Sequence, residues 1–286
     1  MVVSGYLQPR LQAVGDSTVF FLRRARVTVE GQITPWATFR AQVEMRTIGA
    51  PATPSASPLT ISATDLFIKV SHDRWGGTVG QFRVPFSLES LLSSTTLETT
   101  ERSRIVNAAK RDIGAQVEWQ LPDRLVLQGA VVSGEGPNRA ANPDNRMAYF
   151  ARAVVTVARG LDAGGAFEGY SDSSAVDAHA MYRARPWSAR AEYIREHHKA
   201  GDVHTTGWYA LAAYLAIPER LQLVGRVEQY DPSDKVGTDR LTGYSLGTQY
   251  FIRGDNFKLI ADYEIFREQV IQLKNDRAVV QLQVRF

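Results

Sequence analysis

Three of the five histidines fall within eight residues, His197-His198-Lys199-Ala200-Gly201-Asp202-Val203-His204. Neighbouring imidazoles can bind zinc or copper, and Asp202 could add a carboxylate. The same composition suits a solvated loop tip. That plainer reading is preferred, and no metal centre or cofactor is expected. Asp177 and His179 stand two apart, which places them on one face of a strand, where they could form a carboxylate–imidazole pair. A hydrolase also needs a nucleophile beside such a pair, and sequence alone places no serine there, so hydrolysis stays a minor alternative. No phosphate-binding glycine loop, dinucleotide fingerprint or His-Glu-x-x-His is present. The absence of Cys removes disulfides, thiolate metal sites, iron–sulfur clusters and a Cys nucleophile. With 33 Lys+Arg against 30 Asp+Glu, the net charge of +3 is too small to argue for nucleic acid.

The elements that must carry these residues follow from hydrophobic periodicity. An apolar content of 44% excludes a disordered chain. No stretch approaches the ~18 consecutive apolar residues of a membrane helix; the longest runs from Trp208 to Ile217. A helical membrane protein is thereby excluded, and a membrane barrel is not, because its strands show alternation only. Alternation is the dominant signal. In Val280-Gln281-Leu282-Gln283-Val284-Arg285-Phe286, and again over 36–47 and 112–121, apolar and polar residues take turns. Breaking such segments at turn residues predicts about sixteen strands: 2–13, 18–31, 36–47, 59–71, 76–84, 112–121, 124–134, 146–159, 163–171, 175–185, 187–196, 205–217, 220–231, 239–253, 256–268 and 275–286. Short connections such as Thr34-Pro35, Pro122-Asp123 and Gly254-Asp255 alternate with mostly longer, more polar ones at 48–58, 85–111, 135–145, 197–204, 232–238 and 269–274, with brief members at 14–17 and 172–174. An even strand count, with short turns on one side and longer loops on the other, is the topology of an outer-membrane barrel.

The aromatics point the same way. Trp36, Trp75, Trp119 and Trp187 lie near short turns, Trp208 near the opposite rim, as rings that sit at the two membrane interfaces do. The polar parity of the strands carries most of the charge. It includes a basic track of Arg24, Arg26, Arg40, Arg46, Lys69 and Arg83, interleaved with Glu30, Glu44, Asp65 and Glu118. An Arg on the lipid face at mid-bilayer costs roughly 2–4 kcal/mol, so these charges are expected in the lumen. Sixteen strands enclose more space than side chains fill, which leaves a watery channel. The N-terminus lacks the basic and apolar regions of a leader; an exported protein is expected to have lost it already.

Phe21-Leu22-Arg23-Arg24-Ala25-Arg26-Val27, then Glu30-Gly31 and Thr34-Pro35-Trp36, resemble the phosphate-selective porin O and P family. So do Val79-Gly80-Gln81-Phe82-Arg83-Val84-Pro85-Phe86-Ser87, Leu92-Ser93-Ser94, Glu101-Arg102-Ser103, Arg111-Asp112-Ile113-Gly114 and a last strand ending in Phe286. The resemblance implies a sixteen-stranded porin in the outer membrane of a Gram-negative-type bacterium, often a homotrimer, whose third loop folds into the channel. It also implies that Phe286 is the signal read by the outer-membrane assembly machinery. Residues 85–111 would be that loop, and loops of such length in a compact domain are usually functional. Glu98, Glu101, Arg102, Arg104, Lys110 and Arg111 give it both signs of charge. Acids on the loop facing bases on the wall would set a transverse field, whereas rings of one sign would select one ion type.

The expectation is a single all-β domain over 1–286, a transmembrane antiparallel barrel in contact with lipid. It would act as a passive channel for small hydrophilic solutes, with a mild preference for anions, phosphate among them. The acidic partners on the basic track argue against calling it a phosphate channel. A plugged or structural barrel that serves as a partner-binding scaffold is the alternative, ahead of an outer-membrane hydrolase. The Pro-rich stretches 48–58 and 135–145 read as mobile loops that could latch onto a neighbour.

Overall fold

In the computed structural model, which describes residues 1–47, 59–106, 110–270 and 272–286, sixteen antiparallel strands close on themselves in chain order. They are β1 (Val2–Val14), β2 (Ser17–Thr34), β3 (Ala37–Thr47), β4 (Leu59–His72), β5 (Trp75–Arg83), β6 (Arg111–Leu121), β7 (Leu125–Val132) and β8 (Ala148–Ala158). The second half holds β9 (Leu161–Gly169), β10 (Ser173–Ala184), β11 (Trp187–His198), β12 (Val203–Ile217), β13 (Leu221–Asp231), β14 (Leu241–Arg253), β15 (Phe257–Glu268) and β16 (Arg277–Arg285). Closure removes the row of unpaired N–H and C=O groups that an open sheet leaves at its edges, a requirement in hydrocarbon. The seam joins β1 to β16, with Tyr6 opposite Arg285 and Val14 opposite Arg277. At its end Gly5 and Phe286 exchange two backbone hydrogen bonds of 3.0 Å. A Cβ on Gly5 would lie 2.5 Å from both the Phe286 ring and the Arg26 carbonyl oxygen, so this approach needs glycine.

The two faces are sorted opposite to a water-soluble protein. On β1, Gln8, Arg10 and Gln12 are buried while Leu7 and Leu11 are exposed; on β15, Lys258, Asp262 and Glu264 are buried while Leu259 and Tyr263 are exposed. An apolar outer face and a polar inner one match a barrel immersed in lipid. The polar parity is not uniformly polar. Ala130 and Val132 of β7 share parity with Gln128, yet they join Phe82, Ala148 and Phe150 in a buried apolar cluster.

The observed strands start and end within three residues of those expected. Every turn between an even strand and the next odd one, from 35–36 to 254–256, is two or three residues long. The opposite side carries the longer connections, including 84–110 and 133–147, together with two short ones at 15–16 and 170–172. Both chain ends lie on the short-turn side. The Pro-rich stretch 48–58 falls outside the described residues. The other, 135–145, is tied back to the barrel: the Asn138 amide donates to Gln81 at 2.6 Å and its side chain to the Ala63 carbonyl at 3.0 Å.

Two local expectations are corrected. β11 continues through His198 and β12 begins at Val203, so His197 and His204 are strand residues that face one another across a turn at 199–202. Cross-strand pairing absorbed what reads in the sequence as a polar loop. Arg111 is the first residue of β6 instead of the last of the loop, since it pairs with Arg83 in the ladder. The β5–β6 connection also contains a helical turn, α1 (Leu88–Leu91), started by the Ser87 hydroxyl, which accepts from the Ser90 amide at 3.2 Å.

Candidate functional site

The stretch 84–106 of the β5–β6 connection is held at both ends by apolar contacts and along its middle by polar ones. Phe86 packs into the cluster of Phe82, Val132 and Phe150, and Val106 into Tyr209, Leu211 and Val224. Gly80 prepares the first seat. Its φ of +126° and the 2.2 Å that would separate a Cβ from the Leu66 carbonyl oxygen exclude a larger residue. Beyond it, Gln81 donates to the Thr64 carbonyl at 2.8 Å.

Between the seats, strands from many parts of the circumference reach the segment. Tyr6 of β1 meets the Ser94 hydroxyl at 2.6 Å. Gln249 of β14 donates to the Leu97 carbonyl at 2.7 Å and Gln283 of β16 to the Thr95 carbonyl at 3.0 Å. Asp262 of β15 accepts the Thr100 amide at 2.5 Å, Glu192 of β11 accepts the Leu88 and Glu89 amides, and Arg226 of β13 donates to the Glu101 carbonyl at 2.8 Å. A buried segment needs its backbone groups satisfied, and here barrel side chains perform that task.

The charges meet as acid on the segment and base on the wall. Glu101 is bound by Arg10 at 2.6 Å, Arg23 at 2.5 Å and Arg24 at 3.1 Å. Burial opposes a charge on Glu101, but the guanidiniums of Arg24, Arg10 and Arg23 outweigh it and hold its carboxyl well below the usual carboxylate range. Arg190 of β11 binds Glu89 at 2.8 Å and also Glu98. Of the other segment residues singled out in the sequence, Arg102 donates to the Glu89 and Leu92 carbonyls, Arg104 lies 4.0 Å over the Phe266 ring, and Lys110 binds Glu168 at 2.6 Å.

The expected basic track is present but largely paired. Arg24 belongs to the Glu101 cluster. Arg26 binds Glu44; Arg40 binds Glu30 at 3.0 Å and Asp65 at 3.3 Å; Lys69 lies 3.5 Å from Glu118. Asp65 also receives Arg111 at 2.7 Å. Arg83 donates to the carbonyls of Ser90, Leu91 and Leu92, at the end of α1. The Arg46 side chain is outside the described residues.

Arg10, Arg23 and Arg190 matter more at the segment than the sequence suggested. Arg10 could have been found by extending the polar parity of β1 from Gln8 to Gln12. Arg23 could not. The register between β1 and β2 shifts at Gln8/Pro9, pairing Gln8 with Arg24 and Pro9 with Leu22. The extra residue is Arg23, which reaches the same carboxylate as Arg24 despite its opposite parity.

Two cavities flank the segment. One of about 950 Å³ on the short-turn side is lined by Thr96, Glu98, Arg183, Arg185, Arg220 and Arg253, among others. A smaller one of about 220 Å³ on the other side includes Ser87, Arg104, Lys110, Glu196 and Tyr230.

Four of the Trp residues lie near short turns and Trp208 lies in β12. Trp36, Trp75, Trp187 and Trp208 are exposed. Trp119 is half-buried directly across from Trp75, and Trp187 packs on Tyr214 with ring centroids 4.5 Å apart. Asp177 and His179 do form their pair, at 2.5 Å and buried, on the inner parity of β10.

A family model for phosphate-selective porins O and P matches residues 6–174 and 158–286, nearly the whole chain. The chain belongs to the phosphate-selective porin O and P family. It is thus an outer-membrane porin. Solved structures share the fold at low identity. OmpT of Vibrio cholerae, in a trimer form, superposes with a TM-score of 0.70 at 10% identity, covering 100% of this porin and 98% of that chain. A mutant of the Rhodobacter blastica porin gives 0.66 at 16%, covering 100% and 99%. OprB of Pseudomonas putida, in a low-pH structure, gives 0.68 at 9%, covering 99% and 91%. No curated protein sequence matches the porin.

Proposed function

We propose that this porin is a passive diffusion channel for small hydrophilic solutes, narrowed by residues 84–110 and mildly selective for anions, with no catalytic role. The reading of 84–110 as a constriction rests on its bonds to β1, β11, β13, β14, β15 and β16. A segment that reaches polar-parity side chains of so many strands runs across the inside of the barrel, with one cavity on each side.

The anion preference rests on one observation: three guanidiniums, Arg10, Arg23 and Arg24, converge on the single carboxylate of Glu101. Two positive charges remain in excess there. The opposite wall leans the other way, since Arg190 faces both Glu89 and Glu98. Such an arrangement sets a transverse field and draws anions along the β1–β2 side. Arg183, Arg185, Arg220 and Arg253 at the larger cavity favour anions at that mouth. The pairing of Arg26, Arg40 and Lys69 with carboxylates removes the continuous ladder that phosphate selectivity would call for. Small hydrophilic solutes with weak charge discrimination fit better. A homotrimer is the assembly we favour, by analogy with the trimeric OmpT form.

The density of bonds that pin the segment supports one competing reading, a plugged barrel that serves as a scaffold. Conductance separates the two. Single-channel recording in planar bilayers under a KCl gradient is expected to give stable steps with a reversal potential on the chloride side. Folded barrels that insert without conducting would refute the channel reading in favour of the plug. Steps with a reversal potential on the potassium side would refute the anion preference alone.

A further inference from the structure

On the long-loop side, away from the charges that meet the β5–β6 segment, four residues are arranged in a way the function above does not use. His197 and His204 are direct partners across the β11–β12 hairpin. Directly opposed side chains start about 4.5–5.5 Å apart at Cβ, and here the imidazoles stack with centroids 4.5 Å apart and planes 11° from parallel. Asp202, in the turn between them at φ +49°, bonds His197 Nε2 through Oδ1 at 2.9 Å. One ligand atom from each of His197, Asp202 and His204 lies within 4.8 Å of the others.

Asp234 supplies the second observation. It comes from the β13–β14 connection, accepts the His204 backbone amide at 2.9 Å and holds His204 Nδ1 at 3.1 Å. A carboxylate on one ring nitrogen fixes the tautomer and leaves the other nitrogen with its lone pair, the usual outer support of a metal-binding imidazole. His198 is excluded from the group by parity. It points to the other face of β11, where its Nε2 lies 3.8 Å from Glu196.

We propose that His197, His204 and Asp202 form a binding site for a borderline divalent cation of the Zn²⁺ class, with Asp234 as the positioning residue for His204. Two imidazoles and one carboxylate select such an ion over Ca²⁺ or Mg²⁺, which prefer oxygen ligands. Bonds of about 2.0–2.1 Å at tetrahedral angles put ligand atoms about 3.3 Å apart. Closing the set takes a shift of up to about 1.5 Å and a tilt of one half-buried imidazole out of the stack, so that both ring-nitrogen lone pairs converge with the exposed Asp202 carboxylate, and water fills the fourth position. The ion takes the place of the His197–Asp202 contact. It clasps the β11–β12 turn to the β13–β14 connection through His204 and Asp234. The site stands independently of the channel reading.

The test is titration of the untagged, detergent-folded porin with ZnCl₂ by isothermal calorimetry, with Co²⁺ absorbance reporting four-coordinate geometry. One saturable ion per chain is expected, lost in His197→Ala and His204→Ala, weakened about tenfold or more in Asp234→Asn and unchanged in His198→Ala. CaCl₂ is expected to give no binding. Far-UV circular dichroism verifies that each variant keeps its strand content. Absence of saturable Zn²⁺ binding, retention of it in the double variant of His197 and His204, or equal loss in His198→Ala would each overturn the proposal.

Discussion

Glu101→Gln removes the one carboxylate shared by three guanidiniums and leaves the side chain almost the same size. Two effects follow, and their sizes can be worked out. The first is electrostatic. One added unit of positive charge about 5 Å from a passing ion in water is worth about 0.8 kcal/mol. At about 0.1 M salt, with a Debye length near 10 Å, this falls to about 0.5 kcal/mol. That is roughly twofold for the anion and twofold in the opposite sense for the cation, or about fivefold in the chloride-to-potassium permeability ratio. At about 1 M the Debye length is near 3 Å and the shift falls to below about twofold. The second effect is mechanical. Glu101 is only 16% exposed, and breaking a buried ion cluster by removing one partner costs about 3–5 kcal/mol. The loss falls on the seat of the segment and not on the barrel, because no strand ladder passes through residue 101. Planar-bilayer reversal potentials at both salt concentrations, with open-channel noise, provide the assay. A shift toward chloride of about fivefold at 0.1 M that collapses at 1 M, with a noisier open state, is expected. No shift at 0.1 M, or one undiminished at 1 M, would refute the assignment of the Glu101 cluster to the ion path.

Because the Glu101 carboxyl is depressed in the folded state, its contribution is fully present above the ordinary carboxylate pKa and fades as pH falls through the lowered value. Open-channel current is therefore expected to stay quiet from pH 7 to about 4.5 and to become noisy only in stronger acid, which recordings across that range will check. Gly80→Ala forces a Cβ against the Leu66 carbonyl at a left-handed φ, a strain of at least about 1–3 kcal/mol. It should lower the thermal midpoint in detergent and loosen the Phe86 seat, visible as faster proteolysis of residues 84–106. Trp75→Ala breaks the cross-strand pair with Trp119 and one anchor of the girdle. A loss of about 0.2–1 kcal/mol from the pair alone is expected in equilibrium unfolding from lipid vesicles, with conductance unchanged.

The strand count, the strand order and the inside-out sorting of residues were all legible along the chain. In a barrel each strand pairs with its sequence neighbour, so the alternation of Gln8, Arg10 and Gln12 with Leu7 and Leu11 already carries the answer. The sorting of short and long connections was equally visible. What alternation could not reveal is how one charge meets another across the barrel. Arg24, Arg26 and Arg40 read as a ladder because each lies on the polar parity, but whether a guanidinium is free or paired depends on Glu101, Glu44 and Asp65, and in the case of Glu101 the partner comes from 77 residues further along.

Tertiary structure alone decided the rest. The register shift at Gln8/Pro9 turned Arg23 to the side of Arg24, against its parity. The hairpin pairing of His197 with His204 converted three loop histidines into two stacked ones and a bystander. The path of residues 84–106, the part of the chain with the weakest periodicity, was set by side chains from strands at both ends of the sequence. Periodicity records which face of a strand a residue occupies, and that is a local property. Neighbouring strands bring together pairs such as Arg26–Glu44 and Arg40–Glu30, but the meeting of Glu101 with Arg10, Arg23 and Arg24 is a property of the closed barrel and of the segment that reaches its wall.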